Sequence, residues 1–246
     1  MEGEVRAAKL AELREEWSGC RQCNLHETRS QIVHGGGSIG EPGRPPIMLV
    51  GQAPGGREDA VGKPFIGMAG ELLMETLLHL YETSVPEIEE LIPKRKNEAM
   101  NFPALRKQLE RFLYFTNIAL CWPPEDRPPA TAEIKACRPR LEREIYLLDP
   151  PLIIALGKVA IMGLTKYKGS VDNARGSIME IEIPGEVMPV RYPVFCTYHP
   201  SFIARMGDWD KKDGYFTTWY RDLETALGIV DRIHNRLLGD DIPKRR

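Results

Sequence analysis

The sequence has no marked excess of charge of either sign. Its 246 residues include 33 lysines and arginines against 35 aspartates and glutamates, which gives a formal net charge of −2 at pH 7. This balance excludes a strongly basic chain, although a basic patch on one face is still compatible with it. Long apolar runs are lacking too, because no segment reaches the roughly 18 apolar residues that a membrane-spanning helix needs. We therefore expect no membrane partner.

The N-terminal segment lacks the apolar core of a secretory signal peptide. Residues 1–17 are charged and place Leu10, Leu13 and Trp17 at helical spacing. The whole chain is 42% apolar and 28% charged, which is ordinary for a globular protein. We expect a cytoplasmic protein, and we expect a monomer because neither heptads nor a large apolar stripe calls for an oligomer.

Cysteine is scarce, and five cysteines in a chain of this length argue against a disulfide framework. Four of them nevertheless form a pattern. Cys20 and Cys23 make a C-x-x-C pair, and Cys121 and Cys137 follow with 15 residues between them. This set predicts a metal or cluster site with four thiolate ligands. Zinc and an iron–sulfur cluster both accept four thiolates, so the spacing leaves both open.

Apolar runs of strand length alternate with helical patterns along the chain. The runs lie at 47–50, 113–120, 152–157, 178–183 and 187–198, the last two as a hairpin, and the helices at 5–17, 69–81, 131–148 and 216–238. Such alternation predicts an α/β fold with a mostly parallel sheet. We expect one domain over residues 1–246, with a charged helical insertion at about 84–112 that contains Lys94, Arg95 and Lys96.

Polar or conformationally permissive residues follow three of the predicted strands. They are Gly51–Gly55, Thr116 with Asn117, and His199 with Pro200 and Ser201. The carboxyl ends of parallel strands meet at one edge of a sheet. The sequence therefore predicts that these three segments share a cleft.

The same segments carry a resemblance to a known family. The chain resembles the family 4 uracil-DNA glycosylases over about residues 20–205, with the motifs in order. The matching segments are Cys20-x2-Cys23-x-Leu25, GQAPGGREDAVGKPFIGMAGELL at 51–73, TNIALCWPPEDRPPATAEIKAC at 116–137, LIIALGKVA at 152–160, Arg175-Gly176 and TYHPSFIAR at 197–205. The resemblance implies a three-layer α/β/α sandwich around a central four-stranded parallel sheet.

The resemblance also implies a cofactor and a substrate. Cys20, Cys23, Cys121 and Cys137 match the four cysteines that hold a [4Fe-4S] cluster in that family. The expected partner is uracil-containing DNA, single- or double-stranded, in base excision repair. The expected reaction is hydrolysis of the N-glycosidic bond of a flipped deoxyuridine, leaving free uracil and an abasic site.

The same resemblance implies roles for individual residues. His199 would donate a hydrogen bond to uracil O2, assisted by backbone N–H groups of the turn from Gly51 to Ala53. Asn117 would read the Watson–Crick edge of the base, since its amide can donate to O4 and accept from N3–H. Phe65 would stack on the extruded base. Ser201 and the backbone amides after His199 would hold phosphates.

One site position departs from the family. Gln52 stands where the family usually has Glu, and an amide cannot act as a base at neutral pH. Because the next residue is Ala53, we expect no nearby carboxylate to replace it. Catalysis would then be largely dissociative and depend on stabilisation of the leaving group. Otherwise the activity would be weak or directed at another base.

Three functional hypotheses remain from the sequence. The first is a uracil-DNA glycosylase that leaves an abasic site, and the second is a glycosylase for another deaminated or modified base. The third is an iron–sulfur DNA-binding protein with weakened catalysis. His199 and Asn117 favour an enzyme, since a binding module has no need of them.

Overall fold

The computed structural model describes residues 3–41, 44–81, 101–208 and 211–238. A six-stranded sheet forms its centre. The strands are β1 (Gly36–Gly37), β2 (Ile47–Gly51), β3 (Leu113–Asn117), β4 (Ile153–Leu156), β5 (Ile178–Ile183) and β6 (Val190–Thr197). Their order in the sheet is β1-β3-β2-β4-β6-β5. The four middle strands run parallel, and both outer strands pair antiparallel to their neighbours.

Nine α-helices are assigned in the described residues. They are α1 (Gly3–Ser18), α2 (Gly56–Val61), α3 (Met68–Tyr81), α4 (Phe102–Leu109), α5 (Thr131–Leu148), α6 (Gly157–Thr165), α7 (Val171–Ala174), α8 (Pro200–Met206) and α9 (Tyr215–Leu238). None of the helices described is long and apolar enough to span a membrane.

The parallel strands are buried on both faces, which explains why each is a continuous apolar run. Leu49, Phe115 and Ile154 point to one core, which helices α3, α4 and α9 cover. Met48 and Ala155 point to the other core, beneath α1, α5 and α6. The predicted α/β/α sandwich is therefore confirmed.

The structure corrects several boundaries. The central parallel strands number four, as expected, but an antiparallel strand extends the sheet at each edge. The strand predicted to reach Leu120 ends at Asn117, and Gly157 begins a helix rather than ending a strand. The predicted hairpin at 178–183 and 187–198 forms as β5 and β6. Of the insertion expected at about 84–112, residues 84–100 with Lys94, Arg95 and Lys96 lie outside the described residues, and α4 follows them.

A buried ion pair ties α5 to the sheet. Arg140 and Glu144 lie one helical turn apart with 2.5 Å between Nη1 and Oε2. Tyr114 and Thr116 of β3 donate hydroxyl hydrogen bonds to the Glu144 carboxylate at 2.6 and 2.9 Å. Arg140 Nη2 donates to the backbone carbonyl of Asn117 at 2.8 Å. Because all five residues are buried, this network fixes the end of β3 against α5.

Replacing Glu144 with alanine should lower the free energy of unfolding by about 3–5 kcal/mol, because Arg140 would keep a buried charge without its partner. Urea denaturation would measure the loss. The control is Glu142→Ala, which removes an equivalent i,i+4 pair with Arg138 that is more exposed. That control should lose about 1 kcal/mol or less. Equal losses in the two variants would contradict a special role for the buried pair.

Candidate active site at the carboxyl edge of the sheet

Parallel register brings the three predicted segments to one edge of the sheet. Gly51 at the end of β2 pairs with Asn117 at the end of β3. At the ends of β4 and β6, Leu156 pairs with Thr197. His199 follows two residues later, as the residue that precedes α8. Neighbouring strands lie about 4.8 Å apart, so the four strand ends span roughly 14 Å. The predicted convergence of the strand ends is confirmed.

Gly51, Phe65 and Asn117 are in close contact at one end of this edge. A Cβ atom on Gly51 would lie 2.4 Å from Asn117 Oδ1 and 2.6 Å from Phe65 Cζ. Any side chain at position 51 would therefore collide with both. The missing side chain is what allows the amide of Asn117 and the ring of Phe65 to meet over the end of β2.

The Phe65 ring is a core residue as well as part of this site. It is 7% exposed, and its centroid lies 5.9 Å from that of Phe115. Its backbone is left-handed with φ 55°, a conformation that costs a non-glycine residue roughly 1–3 kcal/mol. Arg106 of α4 donates to the carbonyls of Pro64 and Phe65 at 2.6 and 3.1 Å. The surrounding contacts thus hold a strained turn that aims the ring at Gly51.

His199 is held in one tautomer by the residues that follow it. The backbone N–H of Ser201 donates to His199 Nδ1 at 3.1 Å, and the Ser201 hydroxyl lies 2.7 Å from the same atom. A backbone N–H can only donate, so Nδ1 is the acceptor and a neutral ring carries its proton on Nε2. Gly157 packs against the other side, where a Cβ atom would lie 2.7 Å from His199 Cβ.

Burial lowers the pKa of His199 from 6.5 to about 4, and the nearby positive charge of Arg205 lowers it further. The imidazole is therefore neutral at pH 7. A neutral ring whose Nδ1 accepts a hydrogen bond presents Nε2–H as a donor, which is the group needed beside an atom that gains negative charge.

Ser201, which is expected to hold a phosphate, contacts the imidazole of His199. Its hydroxyl contacts the His199 ring, and its N–H donates to the same ring. The amides of Phe202 and Ile203 donate to the His199 carbonyl at 2.9 and 3.3 Å. Because these amides are paired within the chain, the structure supports a role for Ser201 in orienting the imidazole.

A second, partly buried ion pair anchors the segment that leads to His199. Arg175, from the Arg175-Gly176 motif, pairs with the Asp222 carboxylate of α9. Thr197, the last residue of β6, donates its hydroxyl to Asp222 Oδ2 at 2.8 Å. The next residue, Tyr198, donates its hydroxyl to Asp172 at 2.6 Å. These contacts fix the chain on the N-terminal side of His199, as Ser201 does on the other side.

Comparison with known proteins agrees with this geometry. A family model described as the uracil DNA glycosylase superfamily matches residues 38–224. The type-4 uracil-DNA glycosylase of Pyrobaculum aerophilum is 31% identical over 196 residues, which cover 80% of this chain and 85% of that protein. The type-4 enzymes of Archaeoglobus fulgidus (29% over 198 residues, 79% and 82% covered) and Sulfurisphaera tokodaii (31% over 197 residues, 78% and 74% covered) are also similar.

The chain belongs to the uracil-DNA glycosylase superfamily. Within this superfamily fold, Gln52 and Ala53 are half-buried in the turn after β2. The carbonyls of Gly51 and Gln52 accept hydrogen bonds from the amides of Ile118 and Ala119 at 3.0 and 3.1 Å. The turn after β2 and the segment after β3 are therefore hydrogen-bonded to each other past the ends of the two strands.

Carboxylates do lie near this turn, although none contacts position 52 in the hydrogen bonds of the described residues. Glu58 Oε2 accepts a hydrogen bond from the N–H of Gly55 at 3.1 Å. Asp126 also approaches, since a Cβ atom on Gly55 would lie 3.8 Å from its Oδ1, which accepts from Trp122 Nε1 at 2.6 Å. The sequence signal for Glu58 is its place as the third residue of α2, where Glu commonly caps a helix.

The four patterned cysteines lie in one neighbourhood of the glycosylase fold. Burial raises the pKa of Cys121 to about 11, and charges on Cys137 and Cys23 raise it further, while Arg29 lowers it. Burial also raises the pKa of Cys23, as do Cys137 and Cys20. Arg29 Nη1 lies 3.2 Å from Cys121 Sγ, and its Nη2 donates to the Cys20 carbonyl at 2.7 Å.

The donor set fits a thiolate-bound group in kind, since all four side chains are cysteines. Across residues 3–41, 44–81, 101–208 and 211–238, however, no three His, Cys, Asp or Glu side chains already stand in ligating positions. The fifth cysteine, Cys196, is buried in β6 and is not part of this neighbourhood. The four cysteines are thus near enough to influence one another's charge, but they do not form a metal-binding geometry in the described residues.

The His199 ring should titrate near pH 4 and carry its proton on Nε2 at neutral pH. Because this pKa lies below the unfolded value of 6.5, the ring's contribution to stability is complete above pH 6.5 and is lost as pH falls toward 4. Nitrogen-15 NMR of the histidine rings would test both points, with His199→Asn assigning the resonance. A midpoint near 6.5, or a proton on Nδ1, would contradict the geometry described above.

Proposed function

We propose that this protein is a DNA glycosylase that removes uracil from DNA, hydrolysing the N-glycosidic bond of a flipped deoxyuridine to leave an abasic site in base excision repair. The observation that carries the proposal is the fixed tautomer of His199 at the strand edge it shares with Asn117. The names of the similar type-4 enzymes support the choice of uracil.

The departing uracil accumulates negative charge on O2 as the glycosidic bond breaks. In this proposal His199 Nε2–H donates to O2, and backbone N–H groups of the turn from Gly51 to Ala53 assist it. The depressed pKa of His199 keeps the donor neutral, so the site does not need to transfer a proton to the base. The donor is oriented before the reaction, because Ser201 already holds Nδ1.

Asn117 selects the base. Its side-chain amide donates to uracil O4 and accepts from N3–H, whereas cytosine presents the reverse pattern. The contact of Arg140 with the Asn117 carbonyl fixes the backbone from which this amide projects. Since Asn117 is 3% exposed, a wrong base would leave its amide unsatisfied in a dry site.

Phe65 supplies the stacking surface for the flipped base. The ring lies against Gly51 and beside Asn117, so a base reading the Asn117 amide meets the ring as well. Extrusion from the stack is required first, because the glycosidic bond inside a duplex is out of reach. We propose that uracil-containing DNA, single- or double-stranded, is the substrate and that the protein acts as a monomer.

Gln52 orients the attacking water or the sugar in this proposal without serving as a base. Its amide cannot take a proton at neutral pH, so cleavage relies on stabilising the leaving uracil. The same substitution favours a second candidate, release of another deaminated or modified base. The two candidates differ in which base appears as product.

Cys20, Cys23, Cys121 and Cys137 would hold a [4Fe-4S] cluster, with zinc as the less favoured occupant. The shared neighbourhood of the four thiols and the Arg29 contact to Cys121 support this assignment. Bound there, the cluster would join the segment after α1 to the loop between β3 and α5. Hydrolysis transfers no electrons, so its contribution is to stiffen the chain beside Asn117.

Free uracil should be released from an oligonucleotide containing a single uracil, and His199→Ala should slow the single-turnover rate by about 10²–10³-fold. Such a loss is typical when one preorganised donor to a developing anion is removed. The control is His79→Ala, an exposed histidine of α3, which should keep the wild-type rate. DNA binding without uracil release by the wild type would contradict the proposal, and release of another base would support the second candidate.

Protein purified without oxygen should contain about four iron and four sulfide per chain, measured by metal and sulfide analysis. Cys137→Ser should lose most of this iron, because one thiolate ligand is removed. Cys196→Ser is the matched control and should keep it, since Cys196 lies in β6. One zinc per chain and no iron would contradict the cluster assignment.

A further inference from the structure

The carboxylate of Glu58 binds two separate segments of the site. Its Oε2 accepts from the N–H of Gly55 at 3.1 Å, in the turn that follows β2. Its Oε1 accepts from the N–H groups of Ile66 and Gly67 at 3.1 and 2.9 Å. Three backbone amides from two segments therefore converge on one half-buried carboxylate.

Only the first of these contacts is explained by helix capping. Glu58 is the third residue of α2, and its bond to Gly55 N–H is the usual reach of a capping glutamate. The second oxygen has no part in that cap. It holds the two residues that immediately follow Phe65, so the carboxylate fixes how the Phe65 turn sits relative to the turn of Gly51.

Phe65 needs such support because its conformation is strained. With φ 55° the residue lies in the left-handed region, which L side chains rarely adopt. Arg106 holds the carbonyls on the N-terminal side, and Glu58 holds the amides on the C-terminal side. Gly70 permits the turn to approach α3, since a Cβ atom there would lie 2.1 Å from the Phe65 carbonyl oxygen.

We propose that Glu58 is a positioning residue for base recognition. Its carboxylate hydrogen-bonds the Phe65 turn to the turn after β2, a contact that we call the latch, and so holds the Phe65 ring in place for the flipped base. The inference rests on the proposed function for the base that the ring receives. The latch itself is a property of the free protein. Glu58 acts through Phe65 and does not touch the base.

Glutamine at position 58 tests the latch with almost no change in volume. A carboxamide has one acceptor oxygen, so it cannot serve Gly55 on one side and Ile66 with Gly67 on the other. Its NH2 group would instead face an N–H. Glu58→Gln should therefore release the Phe65 turn, whereas Glu71→Gln should not. Glu71 is a suitable control because it is a partly exposed residue of α3 whose carboxylate accepts a hydrogen bond from the Arg57 side chain rather than from backbone amides.

The first measurement is amide hydrogen exchange in the free protein. Glu58→Gln should speed exchange at Ile66 and Gly67 by about tenfold or more, and Glu71→Gln should leave both unchanged. Unchanged protection in Glu58→Gln would overturn the latch. This result is independent of activity, so it stays informative if the wild type releases no uracil, an outcome that overturns only the proposed function.

The second measurement is a double-mutant cycle on single-turnover uracil release. Glu58→Gln should slow release by about 10- to 100-fold, as expected when a recognition group is displaced by about 1 Å. In a Phe65→Leu background the same change should have little further effect, because its route to the base is already removed. Losses that multiply in the double variant would show that Glu58 acts independently of Phe65 and would overturn the proposal.

Discussion

In-register parallel pairing of four buried strands is the constraint on which the whole site depends. Gly51 and Asn117 are direct partners, and Leu156 and Thr197 are another pair at the same edge. Neighbouring strands end close together, so residues more than 100 positions apart in sequence, such as Val50 and Ala155, become neighbours in space. A slip of one residue in β3 would turn Asn117 to the opposite face of the sheet. The hydrophobic runs that bury the sheet therefore also fix the site.

Three arginines secure the groups that this edge presents. Arg140 binds the carbonyl of Asn117 from α5, and Arg106 binds the carbonyls of Pro64 and Phe65 from α4. Arg175 acts through Asp222, which accepts a hydrogen bond from Thr197 just before His199. In each case a guanidinium with a carboxylate partner holds backbone or a strand end in place. Charge-assisted hydrogen bonds away from bulk water are stronger than neutral ones, so rigidity at the site comes from these helices.

Sequence patterns predicted the elements and the residue types of the site, because both depend on local order. Apolar runs predicted the four parallel strands, and the convergence of Gly51, Asn117 and His199 followed from where those runs end. The short edge strand at Gly36–Gly37 has no side chains to form a pattern, so it was missed. The hydrogen bonds of Glu58 to Ile66 and of Asp222 to Thr197 were missed as well. Such contacts join distant or irregular segments, and no periodicity encodes them.

The residue at position 52 affects the protonation state of His199. Position 52 follows β2 and His199 follows β6, and these strands are about two strand spacings apart because β4 lies between them. A carboxylate at position 52 would favour the protonated form of the ring. With an amide there, burial and Arg205 act without opposition from that position, and the pKa of the imidazole falls to about 4. In the proposed function, a neutral donor held by Ser201 would stabilise an anionic leaving group over a wide pH range, because it has no proton to lose or gain between about pH 5 and 8. Gln52 thus lacks the potential base that Glu would supply, whereas the proposed donor to departing uracil, the His199 ring, is retained.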